Sequence, residues 1–240
     1  MKHSDVLVII PCYNEQENIE RVVNRLIATC PEVDYLVVND CSTDNSEAIL
    51  RKNHYNHVTL PVNLGIGGGV QTGYRYARDN GYQIAVQMDG DGQHSPAYLE
   101  TVIAPVRSGE MDQCIGSRFL EKEGFQSSPL RRFGIKFLSA LIYLLSGVKV
   151  HDVTSGFRAT GPELTAFFAE NYAPDYPEPE AIMTATLEGF KIGEAPVIME
   201  ERLGGVSSIR SFKSAYYMIK VSLALIIDRM SRHRKGGRRA

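Results

Sequence analysis

At 240 residues the chain is long enough for one α/β domain with a full core. Its 43% hydrophobic and 22% charged residues exclude collagen-like, disordered and disulfide-scaffold classes. The net charge of −2 hides a basic tail: residues 232–240 hold five Lys or Arg and no acid, leaving 21 bases against 28 acids upstream, so the chain is no general nucleic-acid binder but has one end suited to an anionic surface.

Asp5–Ile10 is a continuous apolar run ended by Pro11 and reads as a strand buried on both faces. Glu17–Cys30 has apolar residues at helical spacing, among them Ile19, Val22, Val23 and Leu26. Asp34–Asn39 reads as a second strand and Ser42–Lys52 as a helix capped by Ser42 or Thr43. Val58–Pro61 is a short strand, Gly69–Asn80 a helix stopped by Gly81, and Tyr82–Met88 another strand. This alternation predicts a parallel sheet covered by helices, with ligands at the carboxyl ends of the strands. The unusual residues lie there: Pro11–Glu15, Asn39–Asp44 and Asp89–Gln93.

The second half is less regular. Pro96–Ser108 reads as a helix, Gln113–Ser117 as a strand, Glu121–Pro129 as a loop, and Leu130–Ser146 as a long helix apolar on most of its circumference. Asp152–Arg158 is a polar cluster, and Tyr172–Pro179, with three prolines, a loop. Ala181–Gly189 reads as a helix, Ile192–Glu200 as a strand, and Phe212–Met230 as an amphipathic helix running into the basic tail. Without repeats or linker composition, the expectation is one domain over 1–210 and an appendage over 211–240. Cys12, Cys30, Cys41 and Cys114 form no C-x-x-C pair and have no His at zinc spacing; three of them border or sit in apolar runs, which suits small core residues, and a reducing cytosol fits. The apolar run Val6–Ile10 is too short for a signal peptide. The longest uncharged stretch, Phe137–Val148, has 12 residues against the roughly 20 that span a bilayer.

Asp89-Gly-Asp91-Gly-Gln93-His94 is the sharpest local feature. Two carboxylates one glycine apart, after a buried strand, suit a hard cation such as Mg²⁺ or Mn²⁺, with Gln93 adding an amide oxygen and His94 an imidazole. A plain Asp-Gly turn is the alternative. Asn63-Leu-Gly65-Ile-Gly67-Gly68-Gly69 fits neither the P-loop nor the G-x-G-x-x-G pattern, so its glycines serve close approach of a ligand or of neighbouring backbone.

Taken in order, Pro11-Cys-Tyr13-Asn14-Glu15, Val38-Asn39-Asp40-Cys41-Ser42-Thr43-Asp44, Asn63-x-Gly65-x-Gly67 and Asp89-Gly-Asp91-Gly-Gln93-His94 closely resemble the family 2 inverting glycosyltransferases of GT-A fold. Gly116-Ser117-Arg118, Asp152-Val-Thr154-Ser155-Gly156-Phe157-Arg158 and Arg202-x-x-Gly205-x-Ser207 narrow the resemblance to the dolichol-phosphate mannosyltransferase-like branch, over roughly residues 4–210. The resemblance implies a mixed, mostly parallel sheet flanked by helices, and transfer of a sugar from a nucleotide to a polyprenyl phosphate. It sets base and ribose near Pro11, Tyr13, Glu15 and Asp40, with Gly67 beside the donor. Asp89 would lie by ribose and metal, and Asp91 with Gln93 would hold the metal on the diphosphate. Asn39-Asp40-Cys41 departs from the usual Asp-Asp-Gly, which puts the turn at Cys41 in question.

By the same resemblance Arg118, Arg132, Lys136 and Arg202 surround phosphates, and Ser207 belongs to a loop over the donor; Lys136 replaces the family's Ser, and Ser208 stands where many relatives have Lys. Arg132 and Lys136, four apart, share one helix face, as they also would on an ordinary solvated surface. Glu178 and Glu180 lie where some relatives carry an acid near the sugar, or in a surface loop. Phe137–Val148 and Tyr216–Ile227 are apolar enough to touch lipid, and with the basic tail they suggest a peripheral enzyme on the cytoplasmic face of the cell membrane. The alternative is a helix packed on the core with a soluble tail. A small membrane subunit docking on the last helix and a homo-oligomer are further expectations. The expected reaction is a single in-line displacement, from UDP-glucose or UDP-N-acetylglucosamine, onto undecaprenyl phosphate for envelope glycans. Transfer to a saccharide hydroxyl and a non-catalytic assembly role are the competing readings.

Overall fold

The computed structural model of the chain describes residues 3–121, 123–126, 128–175, 177–201 and 211–236. Arg202, Ser207 and Ser208 lie outside the described residues. The chain runs β1 (Val6–Cys12), α1 (Ile19–Thr29), β2 (Asp34–Asn39), α2 (Ser46–Lys52), β3 (His57–Thr59), α3 (Gly65–Asp79) and β4 (Ile84–Gln87). It continues through α4 (Leu99–Arg107), β5 (Gln113–Ser117), α5 (Pro129–Ser146), β6 (Arg158–Thr160), α6 (Pro162–Glu170), α7 (Pro177–Leu187), β7 (Ile192–Pro196) and α8 (Ser211–Gly236).

Seven strands form one sheet in the order β3-β2-β1-β4-β6-β5-β7. Every pair is parallel except those of β6, which runs antiparallel to both β4 and β5. Strand β1 lies inside the sheet and shows why a continuous apolar run reads as doubly buried. Val6, Val8, Ile10 and Cys12 enter the core under α1 and α4, while Leu7 and Ile9 enter the one under α3 and α6. A third core joins α5, α7 and α8 through Leu138, Ile142, Ile182, Met183, Val221 and Leu225.

Several boundaries differ from the sequence reading for local physical reasons. Pro11 does not end β1. Cys12 C=O accepts from Asp40 beside β2 and Ile9 C=O from Met88 beside β4, so Pro11 faces the β4 side, past that strand's last register pair, Ile9↔Gln87. Its missing N–H costs no ladder bond there. Helix α2 starts at Ser46 after Asn45, because Ser42 and Thr43 bond to the loop after β1 instead of capping a helix. Helix α3 begins earlier than expected, at Gly65, and α7 begins at Pro177, inside the expected loop. Strand β7 stops at Pro196, short of Glu200, and α8 continues to Gly236. Pro96–Tyr98 is a 3₁₀ turn leading into α4. Neither β6 nor α6 was expected.

Candidate active site

Three loops meet at the carboxyl ends of β1, β2 and β4. The first two are stitched together by side chains. Asn14 N–H donates to Ser42 Oγ (3.0 Å), Thr43 N–H to Asn14 Oδ1 (2.8 Å), Glu15 N–H to Ser46 Oγ (2.9 Å) and Gln16 N–H to Asp44 Oδ2 (3.1 Å). Asn18 Nδ2 donates to Glu15 Oε2 (2.7 Å), which fixes that carboxylate. Tyr13 stands 48% exposed at the rim, its ring open to a planar ligand. Asp40 is buried, and its Oδ1 accepts the Leu64 N–H (2.7 Å) at the start of α3, where helix polarity favours a carboxylate. A base N–H would have to use the other oxygen.

Cys41, in the position where the family commonly has Gly, takes a left-handed φ of +56°, so the departure keeps the glycine-like turn and places a side chain in it. At Gly67 the sequence left ligand and backbone both open; the structure fills the space with backbone. Its N–H donates to Pro174 C=O (3.1 Å), and a Cβ there would lie 2.5 Å from that oxygen and closer still to Ala173 C=O. The neighbouring chain by itself requires glycine at Gly67 in this structure.

The third loop carries Asp89, Asp91 and Gln93. The half-buried Asp89 carboxylate lies directly over the backbone of Gly156, where a Cβ would sit 2.5 Å from Oδ1. Gln87 Nε2 donates to Asp89 Oδ1 (3.4 Å), and Tyr172 Oη donates to Gln87 Oε1 (3.3 Å), so a part-buried relay runs from Tyr172 to the carboxylate. Burial pushes the Asp89 carboxyl up; His94 opposes that shift and Asp91 adds to it. Asp91 Oδ1 accepts the Gln93 N–H (3.0 Å).

His94 is not turned outward as a ligand. It is buried, stacks on Phe157 (5.2 Å, 18°), and accepts the Asp89 N–H at Nδ1 (3.1 Å). In the neutral ring that places the proton on Nε2, 4.0 Å from Asp89 Oδ2. Among the described residues no group of three or more His, Cys, Asp or Glu is placed to hold a metal, so a cation here depends on Asp89 and Asp91 with the Gln93 amide oxygen. The donor set fits a hard cation: all oxygen, with negative charge crowded into a half-buried loop.

Arg118 is found elsewhere than expected. It is 4% exposed and bidentate to Asp152, through Nε to Oδ2 (2.6 Å) and NH2 to Oδ1 (3.0 Å). Asp152 N–H in turn donates to Glu194 Oε1 (2.8 Å). That pair makes Arg118 a buried strut of the 152–157 loop in this structure. Arg132 and Lys136 stand exposed on the first turns of α5, whose N-cap is Ser128.

Sequence reasoning grouped Arg158 with a polar cluster and assigned it nothing. It is fully buried and, among the described residues, donates to backbone carbonyls: Ser155 (2.6 Å), Glu178 (2.9 Å) and Val153 (3.2 Å). That cation ties the 153–157 loop to the start of α7 and lies near both Asp89 and Glu178. Burial pushes the Glu178 carboxyl up, Arg158 countering and Asp89 adding, so the half-buried Glu178 lies near Asp89. Glu180 instead faces α8. Its carboxyl is pushed up to about 7 by burial and by Asp228, with Lys220 opposing.

The mixed, mostly parallel sheet with an acidic loop after β4, beside two loops stitched by side chains, is the GT-A fold of glycosyltransferases. The chain belongs to glycosyl transferase family 2, whose model matches residues 7–164. It is 32% identical to a polyprenol monophosphomannose synthase of Mycolicibacterium smegmatis, over 95% of this chain and 89% of that one. It is 30% identical to a UDP-N-acetylglucosamine–dolichyl-phosphate N-acetylglucosaminyltransferase of Methanococcus voltae, over 93% and 98%. An undecaprenyl-phosphate mannosyltransferase of Micrococcus luteus is 32% identical over 85% and 87%. In fold it matches glucosyl-3-phosphoglycerate synthase of Mycobacterium tuberculosis, solved with Mn²⁺, UDP and phosphoglyceric acid, at a TM-score of 0.70 and 20% identity over 93% and 78%.

Proposed function

We propose that this enzyme moves a sugar from a nucleoside diphosphate, UDP-linked, to a polyprenyl phosphate at the cytoplasmic face of a membrane. The observation that carries the reading is the oriented pair Asp89 and Asp91 in the loop after β4, in a chain similar over nearly its whole length to enzymes named for polyprenyl and dolichyl phosphates. Tyr13 would cover the base, and Asp40 and Glu15 would bind base and ribose. Mg²⁺ or Mn²⁺, held by Asp89, Asp91 and Gln93, would neutralise charge on the departing diphosphate. Arg132 and Lys136 would bind the acceptor phosphate; Arg202 would add a cation beside the phosphates and Ser207 a contact to the donor, both from outside the described residues. A phosphate monoester is already anionic at neutral pH, so alignment replaces base catalysis and the displacement inverts the anomeric carbon.

A lipid acceptor agrees with the surface of α5 and α8. Leu130, Phe133, Phe137 and Leu144 line one exposed side of α5, and Ile219, Leu223, Ile227 and Met230 one of α8. Helix α5 has three bases and no acid, and Asp228 is the one acid in the sequence of α8. Among the described residues no helix is long and apolar enough to cross a membrane. The face suits an anionic bilayer surface, and a small membrane subunit would dock on the same helix. Loss of a pull-down on deleting residues 212–240 tests the subunit.

Purified enzyme with Mn²⁺, undecaprenyl phosphate and labelled nucleotide sugars tests the whole reading. Glucose and N-acetylglucosamine are the first donors; mannose joins them because two relatives are named for it. Label entering the organic phase, and lost in Asp91→Ala, is the expected result. Donor hydrolysis with no organic-phase label, in membranes as well, sinks it. Transfer to a saccharide hydroxyl is the second reading, favoured by the carboxyl of Glu178 beside Asp89. Glu178→Gln abolishes activity if that reading holds and only weakens it if the acceptor is a phosphate.

A further inference from the structure

Residues 199 and 200 bridge two loops of the site. Met199 pairs antiparallel with His94 and parallel with Gly124. Glu200 N–H donates to Gln93 C=O (2.9 Å), and Phe125 N–H donates to Met199 C=O (2.9 Å). Arg25, on α1, grips this bridge: NH1 and NH2 take the two carboxylate oxygens of Glu200 at 2.8 and 2.6 Å, and NH2 also donates to Ser95 Oγ (3.0 Å). The pair holds the Glu200 carboxyl below the usual carboxylate range.

An amide has two ends, and its partners decide which faces a cation. Gln93 Nε2 donates to Glu200 C=O (3.3 Å), so the oxygen is the end left for a metal beside Asp91. We infer that Arg25 and Glu200 are positioning residues for the transfer reaction: their bidentate pair clamps the 199–200 bridge onto the Asp89–Gln93 loop, which turns the Gln93 oxygen toward the metal and fixes the Gly124–Phe125 loop at the entry to α5. The inference rests on the metal reading above. It gives the donor and acceptor sides one shared support, outside the reacting groups.

Arg25→Gln and Glu200→Gln break the pair and leave every backbone bond of the bridge available. Hydrogen exchange of the Glu200 and Phe125 amides reads the bridge without metal; Mn²⁺ binding, followed by the electron resonance of free Mn²⁺, reads Gln93. Each single variant is expected to speed exchange and weaken Mn²⁺ binding about threefold to fivefold at low salt, the range of a half-exposed bidentate pair. The exchanged pair Arg25→Glu/Glu200→Arg recovers both, and the deficit of the single variants shrinks in about 1 M NaCl as the wild-type pair is screened. Unchanged exchange and affinity in both single variants overturn the inference. So does lost affinity that neither charge exchange nor salt affects, which is the mark of a merely structural role. A wild-type chain that leaves Mn²⁺ free overturns the metal reading and the role of Gln93 with it, a result distinct from wild-type binding that the variants fail to change.

Discussion

Gly156 presents bare backbone to the carboxylate of Asp89, and no side chain fits between them. The two are 67 positions apart in the chain, so the orientation of the first acid of the loop depends on a glycine outside the loop. Because the obstacle is the end of one side chain, Gly156→Ala is accommodated by moving Asp89. Its thermal midpoint stays close to wild type, while kcat/KM falls about a hundredfold, the cost of roughly 1 Å of misplacement. Wild-type turnover in this variant, with the fold intact, refutes the role given to Asp89.

Asp152 and Arg118 are both buried and bonded at two points, so removing one charge strands the other. Asp152→Asn is expected to lose about 3–5 kcal/mol in urea denaturation. A loss below about 1 kcal/mol shows that water or another acid takes over, and that Arg118 is freer to meet a phosphate than its pairing indicates.

Cys41 carries a side chain where the backbone is left-handed. Cys41→Gly relieves roughly 1 kcal/mol of backbone strain, partly offset by the greater freedom of glycine in the unfolded chain, and leaves stability unchanged or higher. Cys41→Val, β-branched at the same φ, lowers it. A matched pair of melting curves decides, and equal midpoints contradict the turn geometry.

Glu180 introduces a pH dependence. Its carboxyl moves from 4.5 to about 7 in the folded chain, where Asp228 and Asp175 face it and Lys220 only partly compensates. Between those values the folded chain holds a proton that the unfolded chain has released, so this group's stabilisation is complete below about 4.5 and lost as pH rises through about 7. Glu180→Gln removes that slope. The stability gap between variant and wild type should widen from pH 4.5 to 8 by roughly 3 kcal/mol at most. A constant gap shows that α8 does not confine this carboxyl.

Much of this was readable from residue order. Strands buried on both faces announce themselves as apolar runs, which is why β1, β2 and β4 fall where patterning puts them, with ends shifted by at most two residues. The loops after β1, β2 and β4 carry recognisable chemistry because such loops are where a parallel sheet exposes its ligands. Strand β6 was illegible for an opposite reason: it is three residues long and opens with a buried arginine, whose partners are carbonyls that only the folded chain brings together. Arg118 is ambiguous for a related reason. A lone basic residue looks the same whether it meets a phosphate or an acid 34 positions downstream. Helix α6 carries a start signal, Gly161-Pro162-Glu163, and apolar residues along its length, so it is legible in the sequence.

The reversed strand β6 also dictates an order of assembly. It stands between β4 and β5, which have no pairing with each other, so β5 cannot join the central sheet until residues 158–160 have been synthesised and wedged in. The same wedge brings Gly156 to Asp89. A nascent chain released before that point would possess the stitched loops after β1 and β2 and the acidic loop yet hold the acidic loop unsupported, so competence for chemistry arrives late and in one step with sheet closure.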